Sequence, residues 1–151
     1  MATKTSPPSP VASASSPTRW MLMADARTAI LTAEFVALTT YRLDGRAVTT
    51  PVWAAAEDGR LYIFSNAKAG KVKRLRNSGR ATLAPCTFAG KITGSEHPAE
   101  AVLLPADQMP RVWQRLIKKY GLPARAFAFY DWLRNRIGME PSAGIEVRLT
   151  P

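Results

Sequence analysis

The sequence of 151 residues is poor in side chains that cross-link a chain or coordinate metals. It contains one cysteine, Cys86, and one histidine, His97. A single cysteine excludes an intramolecular disulfide, and the two residues together are too few for a cysteine- or histidine-rich zinc site. We therefore expect no metal and a reducing, cytoplasmic location.

The sequence also lacks long apolar runs. No stretch reaches the roughly 20 apolar residues that a membrane-spanning helix needs, and the run from Trp20 to Met23 is too short for the core of a secretory signal. We expect a soluble protein with no membrane partner. Residues 1–20 are rich in Ser, Pro and Ala without periodicity, which is typical of a disordered tail. Residues 21–151 are long enough for one domain.

Acidic residues are scarce, since 11 Asp and Glu stand against 21 Lys and Arg, which gives a net charge of +10. None lies between Asp58 and Glu96, whereas the segment 65–80 carries Lys68, Lys71, Lys73, Arg74, Arg76 and Arg80. Such a run predicts an anionic partner. The segment follows a predicted strand and opens a predicted helix, whose N-terminal N–H groups and dipole favour phosphate. A phosphate-bearing ligand is therefore favoured over nucleic acid or a merely solvated surface.

Short strands separated by turn residues dominate the pattern. β-branched, aromatic or alternating runs predict six strands at 35–41, 47–56, 61–64, 81–86, 100–104 and 145–149. Asp44-Gly45 and Asp58-Gly59 supply tight turns between the first three, which predicts an antiparallel meander. Pro85 indicates an edge or a bulge in the fourth strand.

Apolar residues at helical spacing predict three further helices. One covers 24–32, one follows a possible cap at Asp107 and ends at Gly121, and one covers 123–137 and ends at Gly138. The second has an apolar face for the core or a dimer contact, and the third has a stripe of Phe127, Tyr130, Leu133 and Ile137. His97 is expected in a surface loop, and Trp113 and Trp132 within the helical layer. The sequence thus predicts an α+β fold: a six-stranded antiparallel split β-barrel with flanking helices.

Two segments are expected to meet at the basic segment: the strand residues Thr49 to Trp53, and Ala84 to Thr87, which returns beneath the basic turn. Thr49 to Trp53 lies on the strand that pairs with the one leading into Ser65, and Pro51 interrupts its ladder of hydrogen bonds. Trp53 could contact a ligand or pack in the core. Basic side chains and one hydroxyl could clamp a phosphate: Ser65, Lys71, Lys73 and Arg74. The sequence has no Ser-His-Asp set, no paired carboxylates at catalytic spacing and no glycine-rich nucleotide fingerprint, so it assigns no catalytic residue.

Five motifs follow one another in a specific order: Leu38-Thr-Thr-Tyr-Arg-Leu-Asp-Gly-Arg46, Thr50-Pro-Val-Trp53, Gly59-Arg-Leu-Tyr62, Gly70-Lys-Val-Lys-Arg-Leu-Arg76 and Leu83-Ala-Pro-Cys86. In this order they resemble the pyridoxamine 5'-phosphate oxidase-like superfamily, also known as FMN-binding split barrels. More narrowly, they resemble its branch of oxidoreductases that depend on coenzyme F420, a deazaflavin. Ser78-Gly79 departs from the branch, whose members usually carry Asp-Pro there.

The resemblance implies a homodimer of split barrels with cofactor sites at the subunit interface. It implies that the tricyclic ring lies along Thr50, Pro51, Val52 and Trp53. It assigns the cofactor phosphate to Ser65, Lys71 and Lys73, and the anionic tail to Lys68 and Arg74. The implied activity is hydride transfer between F420 and a small conjugated or heteroaromatic substrate.

Three alternatives stay open from the sequence. The cofactor could be FMN, because both molecules share a ribityl-phosphate end. The protein could bind or deliver a cofactor without catalysis. Less in keeping with the pattern, the basic helix could bind nucleic acid, with Tyr62, Phe64 or Phe88 stacking on bases.

Overall fold

Six antiparallel strands and four helices form from these patterns. The computed structural model describes residues 18–140 and 142–150. The strands are β1 (Phe35–Tyr41), β2 (Ala47–Glu57), β3 (Arg60–Asn66), β4 (Arg80–Cys86), β5 (His97–Leu104) and β6 (Ser142–Leu149). The helices are α1 (Arg19–Thr32), α2 (Gly70–Asn77), α3 (Met109–Tyr120) and α4 (Leu122–Arg136), with a 3-10 turn at Ala106–Gln108. The strands close into a barrel in the order β1-β2-β3-β6-β5-β4.

The inward-facing side chains of the strands form one apolar core. Val36, Leu61 and Ile145 are fully buried in it, because every second residue of a strand points to the same face. α1 adds Ile30 and α2 adds Leu75 to the same cluster. Burial of each such aliphatic side chain stabilises the fold by about 1.5–3 kcal/mol.

A second apolar layer lies outside the barrel, where α3 covers β2 and β3. Trp113 and Leu116 of α3 are buried there with Tyr62 of β3. Gly121 ends α3 with a φ of 72°, a conformation that glycine adopts without steric cost, and α4 begins at the next residue. Within the described residues, no helix has both the length and the apolar character needed to cross a bilayer.

The α+β barrel and all six predicted strands are confirmed. The structure starts β5 at His97 and β6 at Ser142, earlier than the sequence indicates. β4 pairs with β5 only as far as Leu83, so Pro85, which has no N–H, lies beyond that ladder. Helix α1 begins at Arg19 rather than Ala24, within the last residues of the predicted tail, and residues 1–17 of that tail lie outside the described residues.

Three local predictions were wrong. Asp107 lies in the 3-10 turn and makes no capping hydrogen bond. His97 is buried in β5, where its Nε2 lies 2.7 Å from the carbonyl oxygen of Thr150. Trp132, which was expected within the helical layer, is exposed. The spacing of apolar residues shows which side chains share a helix face, but it does not show which helix face packs against another part of the protein.

The pairing of β1 with β2 ends at Phe35 and Trp53. Beyond this pair, two side chains of α3 bridge the backbone of residues 33–34 to that of Ala54, and we call this region the β1–β2 seam. Lys119 Nζ donates to the carbonyl oxygens of Ala33 and Ala54, each at 2.5 Å. The Tyr120 hydroxyl donates to the carbonyl of Glu34 at 2.6 Å and accepts the Ala54 N–H at 3.1 Å. Burial raises the pKa of Tyr120 to about 12, so this donor keeps its proton at neutral pH.

We predict that Tyr120→Phe lowers the free energy of unfolding by about 1–3 kcal/mol, because the Ala54 N–H and the Glu34 carbonyl lose their partner. Urea unfolding followed by far-UV circular dichroism measures the change. Tyr130→Phe is the matched control, since Tyr130 is exposed on α4. Equal losses in the two variants would contradict the role of the seam.

Candidate functional site

A cavity of about 430 Å³ opens where β2, β3, the start of α2 and α4 meet. We call it the aromatic cavity. Five of its eleven lining residues are aromatic, and its one charged lining residue in the described chain is Lys71. The lining residues are Phe35, Pro51, Val52, Trp53, Phe64, Ser65, Asn66, Ala69, Lys71, Phe88 and Phe127. This combination of apolar walls and a few polar groups is typical of cofactor sites.

The aromatic walls are built from separate parts of the chain that pack edge to face. Trp53 lies 5.4 Å from Phe127 of α4 and 6.3 Å from Phe64 of β3 between ring centroids. Phe35 contacts Phe88 of the β4–β5 loop at 5.5 Å. On its other side Trp53 stacks on Tyr120 at 4.5 Å, with an angle of 9° between the rings. The cavity can therefore receive a planar ring system against aromatic faces.

The polar end of the cavity is formed by the turn from β3 into α2. Ser65 is buried there and Asn66, Ala69 and Lys71 follow it along the wall. α2 starts at Gly70, and Val72 and Lys73 donate their N–H groups to the Ala69 carbonyl, which leaves those of Gly70 and Lys71 without helical partners at this end. Burial, and next the charge of Arg74, lowers the pKa of Lys71. An anion placed here would relieve this desolvated charge, which favours phosphate.

The nine residues predicted as cofactor contacts do not all meet at the cavity. Five of them line it: Pro51, Val52, Trp53, Ser65 and Lys71. Thr50 lies beside them on β2, and its Oγ1 is buried without a hydrogen-bond partner. Thr50 pairs with Leu38 of the barrel core and does not line the cavity, so the structure does not bring this hydroxyl to the other five residues.

The other three predicted contacts lie on or before α2, away from the cavity wall. Lys68 and Lys73 are exposed to solvent. Arg74 donates from Nε to Thr40 Oγ1 at 2.6 Å, and Thr40 is fully buried. Arg74 therefore has a structural contact in the barrel, and its guanidinium also lies against Gly70, where an added Cβ would come within 2.7 Å of it.

Sequence analysis missed several of the lining residues. Phe35 begins β1 and Phe127 lies on α4, far from the basic segment in sequence, so only the closed fold shows that they share one cavity. Phe64 and Phe88 were considered only as stacking residues for nucleic acid. These residues share only an aromatic side chain, and sequence alone does not distinguish an aromatic residue of a cavity wall from one of the core.

A larger groove of about 670 Å³ runs between α3 and β2. It is lined by Arg111, Arg115, Lys118 and Lys119, with Glu57 paired to Arg115. It lacks aromatic walls and a helix N-terminus, and Lys119 already bonds the β1–β2 seam. The aromatic cavity is therefore the better candidate for a cofactor site.

Comparison with known protein families gives one match, to the model of pyridoxamine 5'-phosphate oxidase, over residues 22–148. The match covers five strands in full, all of β6 except Leu149, and all but the start of α1. The chain belongs to the pyridoxamine 5'-phosphate oxidase family. Membership of this family supports a flavin-type cofactor and an oxidoreductase type of function. No curated protein matches the sequence.

Solved structures with low sequence identity share the fold. Protein Atu2129 of Agrobacterium tumefaciens, of unknown function, has a TM-score of 0.57 at 16% identity over 97% of this chain and 60% of its own. A FAD-binding protein of Mesorhizobium loti has 0.53 at 15% over 82% and 87%. A haem-binding protein of Mycobacterium smegmatis has 0.54 at 13% over 90% and 55%. The chain thus spans only about 55–60% of the first and third of these proteins.

The residues of the aromatic cavity fit a flavin or deazaflavin. Trp53 and Phe64 can face a planar ring, and Ser65, Lys71 and the N-terminus of α2 can hold a phosphate. Haem fits less well, because the lining residues in the described chain include no His, Cys, Met or Tyr to ligate iron.

We predict that Lys71→Ala weakens FMN binding about 10-fold or more, because a charge-assisted bond to phosphate is lost. Fluorescence titration of purified protein with FMN measures the affinity. Arg76→Ala removes the same charge from the exposed side of α2 and is expected to leave FMN affinity within about twofold, as a screened surface charge should. A similar loss in both variants would indicate general electrostatic attraction instead of a phosphate contact.

Proposed function

We propose that the protein is an oxidoreductase that transfers a hydride between coenzyme F420 and a small conjugated or heteroaromatic substrate. The observation that supports it best is the aromatic cavity, which ends at the N-terminus of a helix rich in basic residues. The family match supports the flavin-type cofactor, and the specific choice of F420 is our proposal.

The cavity residues would bind and orient the cofactor. The ring would lie along Pro51, Val52 and Trp53, and the phosphate would sit at Ser65 and Lys71. When bound, the reduced deazaflavin supplies a hydride. The aromatic walls would exclude water and hold the substrate against one ring face, which supplies positioning rather than acid–base chemistry. No carboxylate or histidine lines the cavity in the described chain, in keeping with such a role.

The choice of F420 over FMN rests on charge beyond the phosphate position. F420 carries an acidic oligoglutamate tail that FMN lacks. Lys68, Lys73 and Arg76 are exposed in and just before α2, close in sequence to Lys71. Within α2 there is no acidic residue to pair with them. Such unpaired positive charge would favour the longer, more acidic cofactor.

The deciding experiment is a parallel fluorescence titration with F420 and FMN at low and moderate salt. We expect saturable binding of one F420 per protomer, tighter than FMN. Arg76→Ala should weaken F420 by about threefold to fivefold, the size of one partly screened ion pair, and leave FMN unchanged. Equal losses for both cofactors would contradict the role of the tail, and absence of binding by either would overturn the proposal.

The alternatives give different results in the same experiment. Tighter FMN binding, followed by turnover, would indicate an FMN-dependent oxidoreductase, which the family match also supports. Tight cofactor binding without turnover on a broad panel of acceptors would indicate a cofactor-binding protein. A nucleic-acid-binding module would show steep salt dependence and no stoichiometric cofactor.

We also propose that the protein is a homodimer whose second copy closes the aromatic cavity. Phe88 is 78% exposed at the rim of the cavity, beside the exposed Pro51, so an apolar edge faces solvent in one copy. We expect sedimentation equilibrium to give twice the chain mass of 16.5 kDa. Phe88→Ser should shift the protein toward monomer and weaken FMN together. A monomer at all concentrations that binds cofactor as tightly as expected would contradict this proposal.

A further inference from the structure

The helix α4 turns a large apolar surface to solvent. Five apolar side chains of α4 and that of Ile137, which directly follows the helix, are 41–79% exposed. We call these six residues the outer α4 face: Leu122, Phe129, Tyr130, Trp132, Leu133 and Ile137. Phe129 and Trp132 stack at 5.9 Å between centroids. A contiguous surface of this kind on a soluble chain marks a site of interaction.

Polar contacts fix the orientation of α4, so the apolar side cannot turn inward. The inward face carries Ala124 and Asp131, which are both buried. One Asp131 oxygen accepts the Ser142 N–H at 2.7 Å, and the other lies 3.4 Å from Trp113 Nε1. Rotating the helix to bury its aromatic residues would break these bonds and expose Ala124 in their place. Exposure of the outer α4 face is therefore part of the fold.

The charged side chains that α4 does not bury are all basic. α4 contains Arg125, Arg134 and Arg136, and its one acidic residue, Asp131, is turned inward. The guanidinium of Arg136 lies 5.5 Å from the Trp132 ring, and that of Arg134 lies 5.7 Å from the Tyr130 ring. An apolar aromatic stripe flanked by arginines is typical of helices that lie in the headgroup region of a membrane.

A second copy of the chain is a poor partner for this face. A two-fold contact of α4 with α4 would bring arginines of one copy to arginines of the other, with no exposed acid on α4 to pair with them. An anionic surface, by contrast, complements both the arginines and the total charge.

We propose that the outer α4 face docks the protein on the surface of an anionic phospholipid bilayer, with the helix parallel to it. The aromatic and aliphatic side chains enter the boundary between headgroups and acyl chains, and the arginines contact lipid phosphates. This is surface attachment, for which no spanning helix is needed. Phe127 lies on the same helix and lines the aromatic cavity, so docking brings that cavity close to the lipid.

Co-sedimentation of the full chain with vesicles tests the proposal. We expect binding to phosphatidylcholine vesicles that contain about 30% phosphatidylglycerol, a surface charge that attracts basic segments, and little binding to phosphatidylcholine alone. Arg125→Gln with Arg136→Gln should weaken binding about fivefold for each charge removed. No binding to the anionic vesicles would overturn the proposal.

Two matched double variants distinguish binding through the outer α4 face from nonspecific hydrophobic binding by the rest of the protein. Phe129→Ser with Trp132→Ser should weaken vesicle binding at least about tenfold, because two apolar anchors are lost. Leu22→Ser with Leu43→Ser removes two exposed apolar side chains elsewhere and should bind as the wild type does. Equal losses would overturn the proposal. The proposal would also be overturned if the wild type did not bind vesicles but formed a dimer, and if Phe129→Ser with Trp132→Ser abolished that dimer. A second copy of the chain would then cover the outer α4 face.

A spectroscopic test uses a conservative single variant, so its result does not depend on whether the double variant folds. Brominated lipid in anionic vesicles quenches only tryptophans that reach the acyl boundary. We expect quenching of the wild type and loss of most of it in Trp132→Phe, which keeps an apolar ring at this position. Unchanged quenching in Trp132→Phe would place the membrane contact elsewhere on the protein and overturn the proposal.

Discussion

The pairing register between β1 and β2 is the constraint on which the candidate site depends. Val36 pairs with Val52 and Phe35 pairs with Trp53. Side chains alternate along a strand, so Val52 and Ala54 belong to the barrel core while Trp53 packs in the outer layer. A slip by one residue would turn Trp53 into the barrel and expose apolar residues of its core. Because the sheet is closed, the neighbouring strands oppose such a slip.

Charge adds a second condition to the site. α2 concentrates basic residues at the end of β3, and the structure does not pair them within that helix. Arg74 is held by Thr40, so its charge stays near Lys71 and contributes to the lowered pKa of that residue. The protein thus accepts an unfavourable accumulation of like charge at one place. An anionic ligand offsets this cost, which connects the basic composition of the chain to its binding chemistry.

Local patterns were sufficient for much of the fold. Turn residues and apolar alternation gave the strands, because both act over a few neighbouring residues. The same patterns could not place Phe35 or Phe127 in the aromatic cavity, since that depends on contacts between distant parts of the chain. They also misplaced Trp132 of α4, which was expected within the helical layer and is exposed. Hydrogen bonds of Asp131 to groups on α3 and β6 turn the other side of the helix inward.

Tyr120 belongs both to the β1–β2 seam and to the support of the aromatic cavity. Its hydroxyl bonds the β1–β2 seam, and its ring stacks on Trp53 at the wall of the aromatic cavity. That wall is consequently held in place before any ligand arrives, and little ordering entropy remains to be lost on binding.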